Sequence, residues 1–307
     1  MIKTEETFAG TFPFKANYSE APGFKMHYVD EGKGEIVLCL HGEPTWGYLY
    51  RMVIPLLSKK YRVIVPDHMG FGKSETPPNK VYRLQTHITN LITFVKDLGL
   101  TDITLVVHDW GGPIGAGLLK DDPKLIKRLV VMNTLLPLGT EKGNTILGEG
   151  IALSPWFALV AKLYEQGTID VVLENLFQHF IVGMLTTYVG FTKAANITDA
   201  WIRAYSDPFQ SKEEVKAAIA FPKSIVDGKG DLWLPFSEQV IQIAQSKPAI
   251  MIEGLKDKGL SPQHYIHIFK TSFPNGQVYE LPQAGHYLQE DESQAIASLI
   301  DQFIRNS

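Results

Sequence analysis

Short apolar runs alternate with longer amphipathic segments along the first half of the chain. The apolar runs predict β-strands, and the amphipathic segments 86–98 and 113–120 predict helices between them. The predicted strands are 24–30, Ile36–Leu40, Arg62–Pro66, Ile103–His108 and 128–133. Strands that alternate with helices in this way form a mostly parallel sheet with helices on both faces, which is an α/β fold.

This alternation stops between residues 136 and 221, where the sequence is helical or irregular and rich in aromatic residues. It then resumes with a helix at 235–245, the strand Ala249–Gly254, a helix from Pro262, the strand Gln277–Leu281 and the helix Ser293–Arg305. We therefore predict a core domain, residues 1–135 and 222–307, with a helical cap, residues 136–221, inserted after the predicted strand 128–133. Such a cap would cover the carboxyl ends of the strands, where open α/β sheets bind their ligands.

One predicted strand leads into a sharp turn at Asp109. The apolar run that ends at His108 is followed by Asp109 and Trp110, then by two glycines and a helix. This order of strand, turn and helix is the nucleophile elbow of α/β-hydrolases, which carries serine in lipases and esterases. A carboxylate is already ionised at neutral pH and is suited to attack on an alkyl carbon. We therefore predict an alkyl–aspartyl ester that water must cleave afterwards.

Two further polar residues follow the last two predicted strands. Asp257 comes shortly after Ala249–Gly254, and His286 comes shortly after Gln277–Leu281. Taken alone, Asp257 could be one solvated charge in a charged run, and His286 could be an ordinary turn residue. Together with Asp109 they follow the order nucleophile, acid, histidine that α/β-hydrolases use. His286 would then activate water, and Asp257 would orient the imidazole.

Backbone and indole N–H groups near Asp109 are candidates for binding anions. The Gly-containing turn after the second predicted strand can direct the N–H of Glu43 at the site, and the N–H of Trp110 would complete an oxyanion hole. The indole of Trp110 donates a hydrogen bond and accepts none, which suits a departing halide. A second indole donor is expected from the cap, where Trp156 and Trp201 are the candidates. Trp110 could instead be a packing residue, and Trp201 could equally be a core residue on a helix face.

Bulk properties exclude several classes of function. The 307 residues carry a net charge of −4 without long charged blocks, which argues against nucleic acid as a partner. The single cysteine rules out an internal disulfide, and the sequence shows neither a secretory signal nor a run long enough to span a membrane. His264 and His267 lack a third metal ligand. We therefore expect a soluble cytoplasmic protein without a membrane partner, metal or cofactor.

Several motifs are specific in combination and extend along nearly the whole chain. They are His-Gly-Glu-Pro-Thr-Trp at 41–46, Tyr-Leu-Tyr-Arg at 48–51, Pro-Asp at 66–67, Gly-Phe-Gly-Lys-Ser at 70–74, Asp-Trp-Gly-Gly at 109–112, Ala-Gly-His at 284–286 and Gln-Glu-Asp at 289–291. On these residues the chain resembles the haloalkane dehalogenases, which have the α/β-hydrolase fold. The resemblance implies a small apolar halogenated substrate, with water and halide as the other partners, and a monomer or homodimer.

The resemblance also implies individual roles. Asp109 would be the nucleophile, His286 the base and Trp110 the first halide ligand. Another branch of the family places its catalytic acid as Glu at the position of Asn133. Asn133 offers no carboxylate, and this leaves Asp257 as the acid.

Glu43 identifies the branch further, because other branches have Asn at this position. In the branch with Glu, the second halide ligand is a cap tryptophan, and its place in the sequence favours Trp156 over Trp201. The chain departs from the family in one respect, since the segment between Trp156 and residues 207–209 is longer than expected. Trp201 therefore remains an alternative.

Three other functions remain open. An epoxide hydrolase uses the same Asp–His–acid machinery but needs cap tyrosines, for which Tyr164, Tyr188 and Tyr205 are available. An enzyme for another small electrophile, such as a strained lactone, is a related alternative. A ligand-binding protein on a former hydrolase scaffold is a third, although such a protein has no physical reason to keep the three catalytic residues.

Overall fold

The computed structural model describes residues 2–190, 193–227 and 235–307. Within them one eight-stranded sheet has the order β1-β2-β4-β3-β5-β6-β7-β8. The strands are β1 (Asn17–Ser19), β2 (Met26–Glu31), β3 (Ile36–Leu40), β4 (Arg62–Pro66), β5 (Ile103–His108), β6 (Ile126–Met132), β7 (Ala249–Gly254) and β8 (Gln277–Leu281). β2 pairs antiparallel with β1 and β4, and all other pairs are parallel.

Helices connect the parallel strands. They are α1 (Ile54–Leu57), α2 (Leu84–Asp97), α3 (Gly111–Asp121), α4 (Glu141–Leu153), α5 (Pro155–Glu165), α6 (Ile169–His179), α7 (Ile181–Gly183), α8 (Asp199–Ser206), α9 (Lys216–Val226), α10 (Glu238–Gln245), α11 (Pro262–Ser272), α12 (Leu288–Asp291) and α13 (Ser293–Arg305). A π-helix, Met184–Gly190, follows α7. Short 3-10 helices lie at Gly47–Tyr50, Pro123–Leu125, Ala194–Asn196 and Asp207–Phe209.

The predicted α/β class with a mostly parallel sheet is confirmed. Strands β5 and β7 are buried at every position, because helices cover both faces of the parallel part of the sheet. β3, β4, β5, β7 and β8 have the predicted bounds. The sequence pattern did not predict β1, which is short and polar and pairs at the edge of the sheet.

The segment between β6 and β7 contains α4 to α10. The predicted helical region therefore lies at the expected place in the chain. Its predicted end is residue 221, whereas α9 continues to Val226. The division into core and cap domains stays a prediction. No single described helix is long and apolar enough to cross a membrane; α4 and α5 together meet that criterion by length and composition, but the chain bends by 78° between them.

Candidate active site

Strand β5 leads directly into the turn that carries Asp109. The φ angle of Asp109 is +49°, in the left-handed region that residues with a side chain rarely adopt. A Cβ atom at Gly111 would lie 2.6 Å from the carbonyl oxygen of Leu40, and one at Gly112 would overlap the carbonyl of Leu135. Only glycine permits α3 to start so close to the sheet. The local sequence therefore forms a tight elbow with Asp109 at its tip.

Three predicted residues meet at the carboxyl end of the sheet. The Nε2 atom of His286 lies 3.4 Å from Oδ2 of Asp109, and its Nδ1 atom lies 2.7 Å from Oδ2 of Asp257. The side chains of His286 and Asp257 are buried, whereas that of Asp109 is 16% exposed. The imidazole thus connects the two carboxylates, and Asp109 keeps access to a small molecule.

Besides His286, three donors hold the carboxylate of Asp257. Its Oδ1 atom accepts hydrogen bonds from the backbone N–H groups of Gly259 (2.8 Å) and Leu260 (2.9 Å). Its Oδ2 atom accepts from the side-chain amide of Asn133 (2.9 Å), which also accepts from the N–H of Gly254 at 2.7 Å. Asn133 therefore joins the end of β6 to β7 and fixes the acid. Sequence analysis had considered Asn133 only for the carboxylate that it lacks.

The predicted oxyanion donors both contact Asp109. The backbone N–H of Glu43 donates to Oδ1 of Asp109 at 2.7 Å, and the backbone of Trp110 forms a further hydrogen bond with this carboxylate. A Cβ atom at Gly42 would overlap Oδ1 of Asp109, so this approach of the turn requires glycine. The same donors would face the carbonyl oxygen of an ester formed on Asp109.

The charges in the site support one another. Burial alone would lower the pKa of His286, but the charge of Asp257 and hydrogen bonds to both carboxylates raise it to about 10. Burial raises the pKa of Asp109, but the hydrogen bond and charge of His286 outweigh burial and hold it below its usual value. In the resting site a carboxylate therefore faces an imidazolium.

The tryptophans differ in their distance from this centre. Trp110 is 6% exposed and stacks on Phe221, with ring centroids 4.5 Å apart. Trp156 lines a cavity together with Asp109, Trp110 and other residues of the site. Trp201 lies on α8 against Tyr205, with ring centroids 4.7 Å apart, and lines neither cavity at Asp109. The structure thus brings Trp156, and not Trp201, to the nucleophile.

Ser154 explains the position of Trp156. Its hydroxyl caps α5 by accepting from the N–H of Phe157 at 3.3 Å, and it donates to the carbonyl of Gly259 at 2.5 Å. Gly259 belongs to the loop that holds Asp257. The start of α5 is therefore joined to the loop of the acid. Serine before proline signals a helix start, but it does not reveal this contact across the molecule.

Two cavities meet at Asp109 and Trp110. The polar cavity has a volume of about 340 Å³, and its other lining residues include Glu43, Trp156, His286 and Tyr287. The apolar cavity has a volume of about 360 Å³, and its other lining residues include Leu135, Leu147, Ile151, Ile225 and Tyr265. No group of three or more His, Cys, Asp or Glu residues in the described ranges could hold a metal ion.

Two of the cap tyrosines considered for an epoxide, Tyr164 and Tyr205, do not line these cavities. Tyr164 is 40% exposed. The hydroxyl of Tyr205 donates to Glu290 at 2.7 Å and is buried. The side chain of Tyr188 lies outside the described part of the structure. Tyrosines do line the cavities, but they are Tyr265 on α11 and Tyr287 next to His286, which sequence analysis missed.

Comparisons with known proteins agree with this geometry. Residues 35–293 match the model of the α/β hydrolase fold family. The chain is 32% identical over 303 residues to a cis-3-alkyl-4-alkyloxetan-2-one decarboxylase of Xanthomonas campestris pv. campestris, covering 93% of this chain and 94% of that protein. It is 32% identical over 300 residues to a haloalkane dehalogenase of Psychrobacter cryohalolentis, covering 94% and 90%.

A solved structure shows the same architecture. The tetrameric haloalkane dehalogenase DpaA from Paraglaciecola agarilytica NO2 is 28% identical, with a TM-score of 0.75, and the match covers 97% of this chain and 96% of that one. The family match, the identity to full-length relatives and the shared fold lead to one conclusion. The chain belongs to the α/β hydrolase fold family, in the branch that contains the haloalkane dehalogenases.

Proposed function

We propose that this protein is a haloalkane dehalogenase. The observation that carries the proposal is the combination of a carboxylate nucleophile, Asp109, with two indoles, Trp110 and Trp156, in one cavity. A carboxylate attacks saturated carbon without a base, and indole N–H groups stabilise a weakly hydrated anion. Neither feature is needed to cleave an ordinary ester or peptide.

In the first step, Oδ2 of Asp109 attacks the carbon that bears the halogen. A new carbon–oxygen bond forms, and the carbon–halogen bond breaks with its electron pair leaving on the halide. Trp110 and Trp156 donate to the halide as its charge develops, which lowers the barrier because these contacts strengthen in the transition state. The product of this step is an alkyl ester of Asp109.

The second step uses the change in charge that the first step produces. Alkylation removes the negative charge of Asp109, one of the groups that raises the pKa of His286. The imidazolium therefore becomes more acidic, and the neutral base is available to take a proton from water. Hydroxide adds to the Asp109 carbonyl, the N–H groups of Glu43 and Trp110 stabilise the oxyanion, and collapse releases the alcohol and regenerates the carboxylate.

Decarboxylation of an oxetan-2-one is a second candidate function. It is favoured by the relative of that name, which is as similar to this chain as the dehalogenase is. Asp109 would attack ring carbon 4 and break its bond to the ring oxygen, which leaves a carboxylate on carbon 3. Loss of carbon dioxide would then form the carbon–carbon double bond and expel Asp109. This reaction consumes no water.

Epoxide hydrolysis receives less support. The epoxide oxygen needs a hydrogen-bond donor as the ring opens. The described cap tyrosines are exposed or already bonded to another residue, as with Tyr164 and Tyr205. The acid, base and nucleophile alone would serve either reaction, and the unpartnered Tyr287 hydroxyl at the cavity would serve an epoxide oxygen as well. Epoxide hydrolysis therefore ranks lower only because these two cap tyrosines are not available as donors.

The test is product formation from one substrate of each class. 1-Bromobutane and 1,2-dibromoethane report bromide, a cis-3,4-dialkyloxetan-2-one reports alkene and carbon dioxide, and styrene oxide reports diol. We expect bromide release that disappears in the Asp109→Ala variant. Alkene without bromide would assign the second candidate, and diol would assign an epoxide hydrolase. If both the wild type and the Asp109→Ala variant bound these compounds without turnover, the result would indicate a ligand-binding protein.

A further inference from the structure

Two residues that line the polar cavity carry a buried polar atom without a partner. The hydroxyl oxygen of Tyr287 and the Oε1 atom of Glu43 have no hydrogen-bond partner within the described residues. Tyr287 is 3% exposed and Glu43 is 5% exposed. A buried polar group without a partner destabilises the fold, and such groups in folded proteins are few. A ligand that supplies the missing hydrogen bond would offset this cost.

Tyr287 is fixed and remains a donor. Its ring packs nearly perpendicular to that of His286 (85°), with centroids 4.9 Å apart, and it also lies 5.9 Å from the ring of His108. Burial, followed by the charges of Asp109 and Glu43, raises the pKa of its phenol well above the usual value. The hydroxyl therefore keeps its proton and stays beside the nucleophile.

Glu43 lines the same cavity as Tyr287, and its carboxyl group is also buried. Burial, followed by the charge of Asp109, raises the pKa of its carboxyl well above the usual value and so favours the protonated form. The polar cavity is thus lined by a free donor, Tyr287, and by a carboxyl group whose ionisation is disfavoured beside Asp109.

The apolar cavity shows the opposite character. Its lining is dominated by aliphatic side chains of Leu135, Leu147, Ile151 and Ile225. Asp109 lies where the two cavities meet, so a substrate that reacts there presents different parts to each. An alkyl chain fits the apolar side, and the partner that the Tyr287 hydroxyl lacks is an acceptor oxygen.

We infer that Tyr287 is a specificity-determining residue that donates a hydrogen bond to an oxygen atom next to the attacked carbon of the substrate. The preferred class is then an alkyl halide with an ether, hydroxyl or carbonyl oxygen near that carbon, and with its alkyl chain in the apolar cavity. This inference rests on the proposed function, because it places the attacked carbon at Asp109.

The experiment uses two isosteric bromides, 1-bromo-2-methoxyethane and 1-bromobutane, in which an oxygen replaces one methylene. The ratio of their kcat/KM values is measured in the wild type and in Tyr287→Phe. We expect the ratio of ether to alkane to fall about three- to tenfold in the variant, the effect of one neutral hydrogen bond. Tyr265→Phe, which removes a phenol from the apolar cavity, should leave the ratio unchanged.

A second measurement needs no turnover. Quenching of tryptophan fluorescence gives the affinities of 1-methoxybutane and hexane, and the wild type should prefer the ether while Tyr287→Phe should not. An unchanged ratio, or an equal loss for both bromides, would overturn the inference. If the wild type released no bromide at all, the proposed function would fail. The affinities of 1-methoxybutane and hexane alone would then decide the role of Tyr287. If the wild type did not bind the ether more tightly than the alkane, the inference about Tyr287 would also be overturned, even if the variant did not fold.

Discussion

The carboxyl end of the sheet, here called the rim, and the helical segment between β6 and β7 contribute to the site in different ways. On the rim, Asp109, Asp257 and His286 follow strands directly, and the backbone determines where they lie. In the helical segment, Trp156 reaches the cavity because Ser154 joins the start of α5 to the loop of Asp257. The reacting groups are thus placed by covalent geometry, whereas the groups that select and stabilise the leaving atom are placed by packing.

This difference separates two kinds of change. Substitutions on the rim should alter the steps of the reaction, because no neighbouring side chain can replace a residue at a strand end. Substitutions in the helical segment should alter which substrate binds and how its leaving group is stabilised. Three predictions test this division, from the largest expected effect to the smallest.

Replacing His286 with glutamine should have the largest effect. The ester on Asp109 would still form, but its hydrolysis would lose the base and slow about 10²- to 10⁴-fold. Intact-mass spectrometry should then show one butyl group per protein after exposure to 1-bromobutane, with a bromide burst of one equivalent. Asp109→Ala is the control and should gain no mass.

Two other outcomes for His286→Gln would change the assigned mechanism. Undiminished bromide turnover in His286→Gln would remove the histidine from the mechanism. Continued alkene formation from an oxetan-2-one in the same variant would favour the second candidate, since that reaction needs no activated water.

Two tryptophans of the helical segment, Trp156 and Trp201, provide an intermediate effect. Both are buried, but only Trp156 lines the cavity at Asp109. Trp156→Phe should lower kcat/KM for 1-bromobutane about tenfold or more through the loss of a hydrogen bond to an anion. Trp201→Phe is the matched variant and should stay within about twofold, as expected for a site remote from the chemistry. A larger loss in Trp201→Phe would transfer the halide role to that residue.

The pH dependence of unfolding should show the smallest effect. The pKa of His286 is raised to about 10 in the folded protein, above the usual 6.5 of the unfolded chain. Its stabilising contribution is therefore complete below about pH 6.5 and is lost as the pH rises toward 10. Urea unfolding at pH 7 and 9.5 should show a larger decline for the wild type than for His286→Gln. Equal declines would contradict the ion pair on the rim.

The rim was largely predictable from the sequence. Asp109, Asp257 and His286 were identified because each follows an apolar strand, and parallel strands bring their carboxyl ends to one edge. The glycine pair after Trp110 indicated the tight elbow, which the left-handed conformation of Asp109 reflects. Such signals are local in the chain, so one sequence is enough to recognise them.

The rest of the site depends on contacts between distant segments. The hydrogen bond from Ser154 to Gly259 joins residues far apart in the sequence, and no spacing rule encodes it. The unpartnered hydroxyl of Tyr287 is a property of its surroundings and not of its neighbours along the chain. Asn133 was visible in the sequence, but its bond to Asp257 follows from the pairing of β6 with β7.

The two carboxylate oxygens of Asp109 occupy different positions, and in the proposed reaction they have different fates. Oδ1 is bound by the N–H of Glu43, while Oδ2 faces His286. In the proposed reaction, Oδ2 leaves with the alcohol, and an oxygen from water takes its place on the protein. The first alcohol formed in ¹⁸O-water would therefore carry no label, and the isotope would enter the enzyme one turnover before it appears in the product.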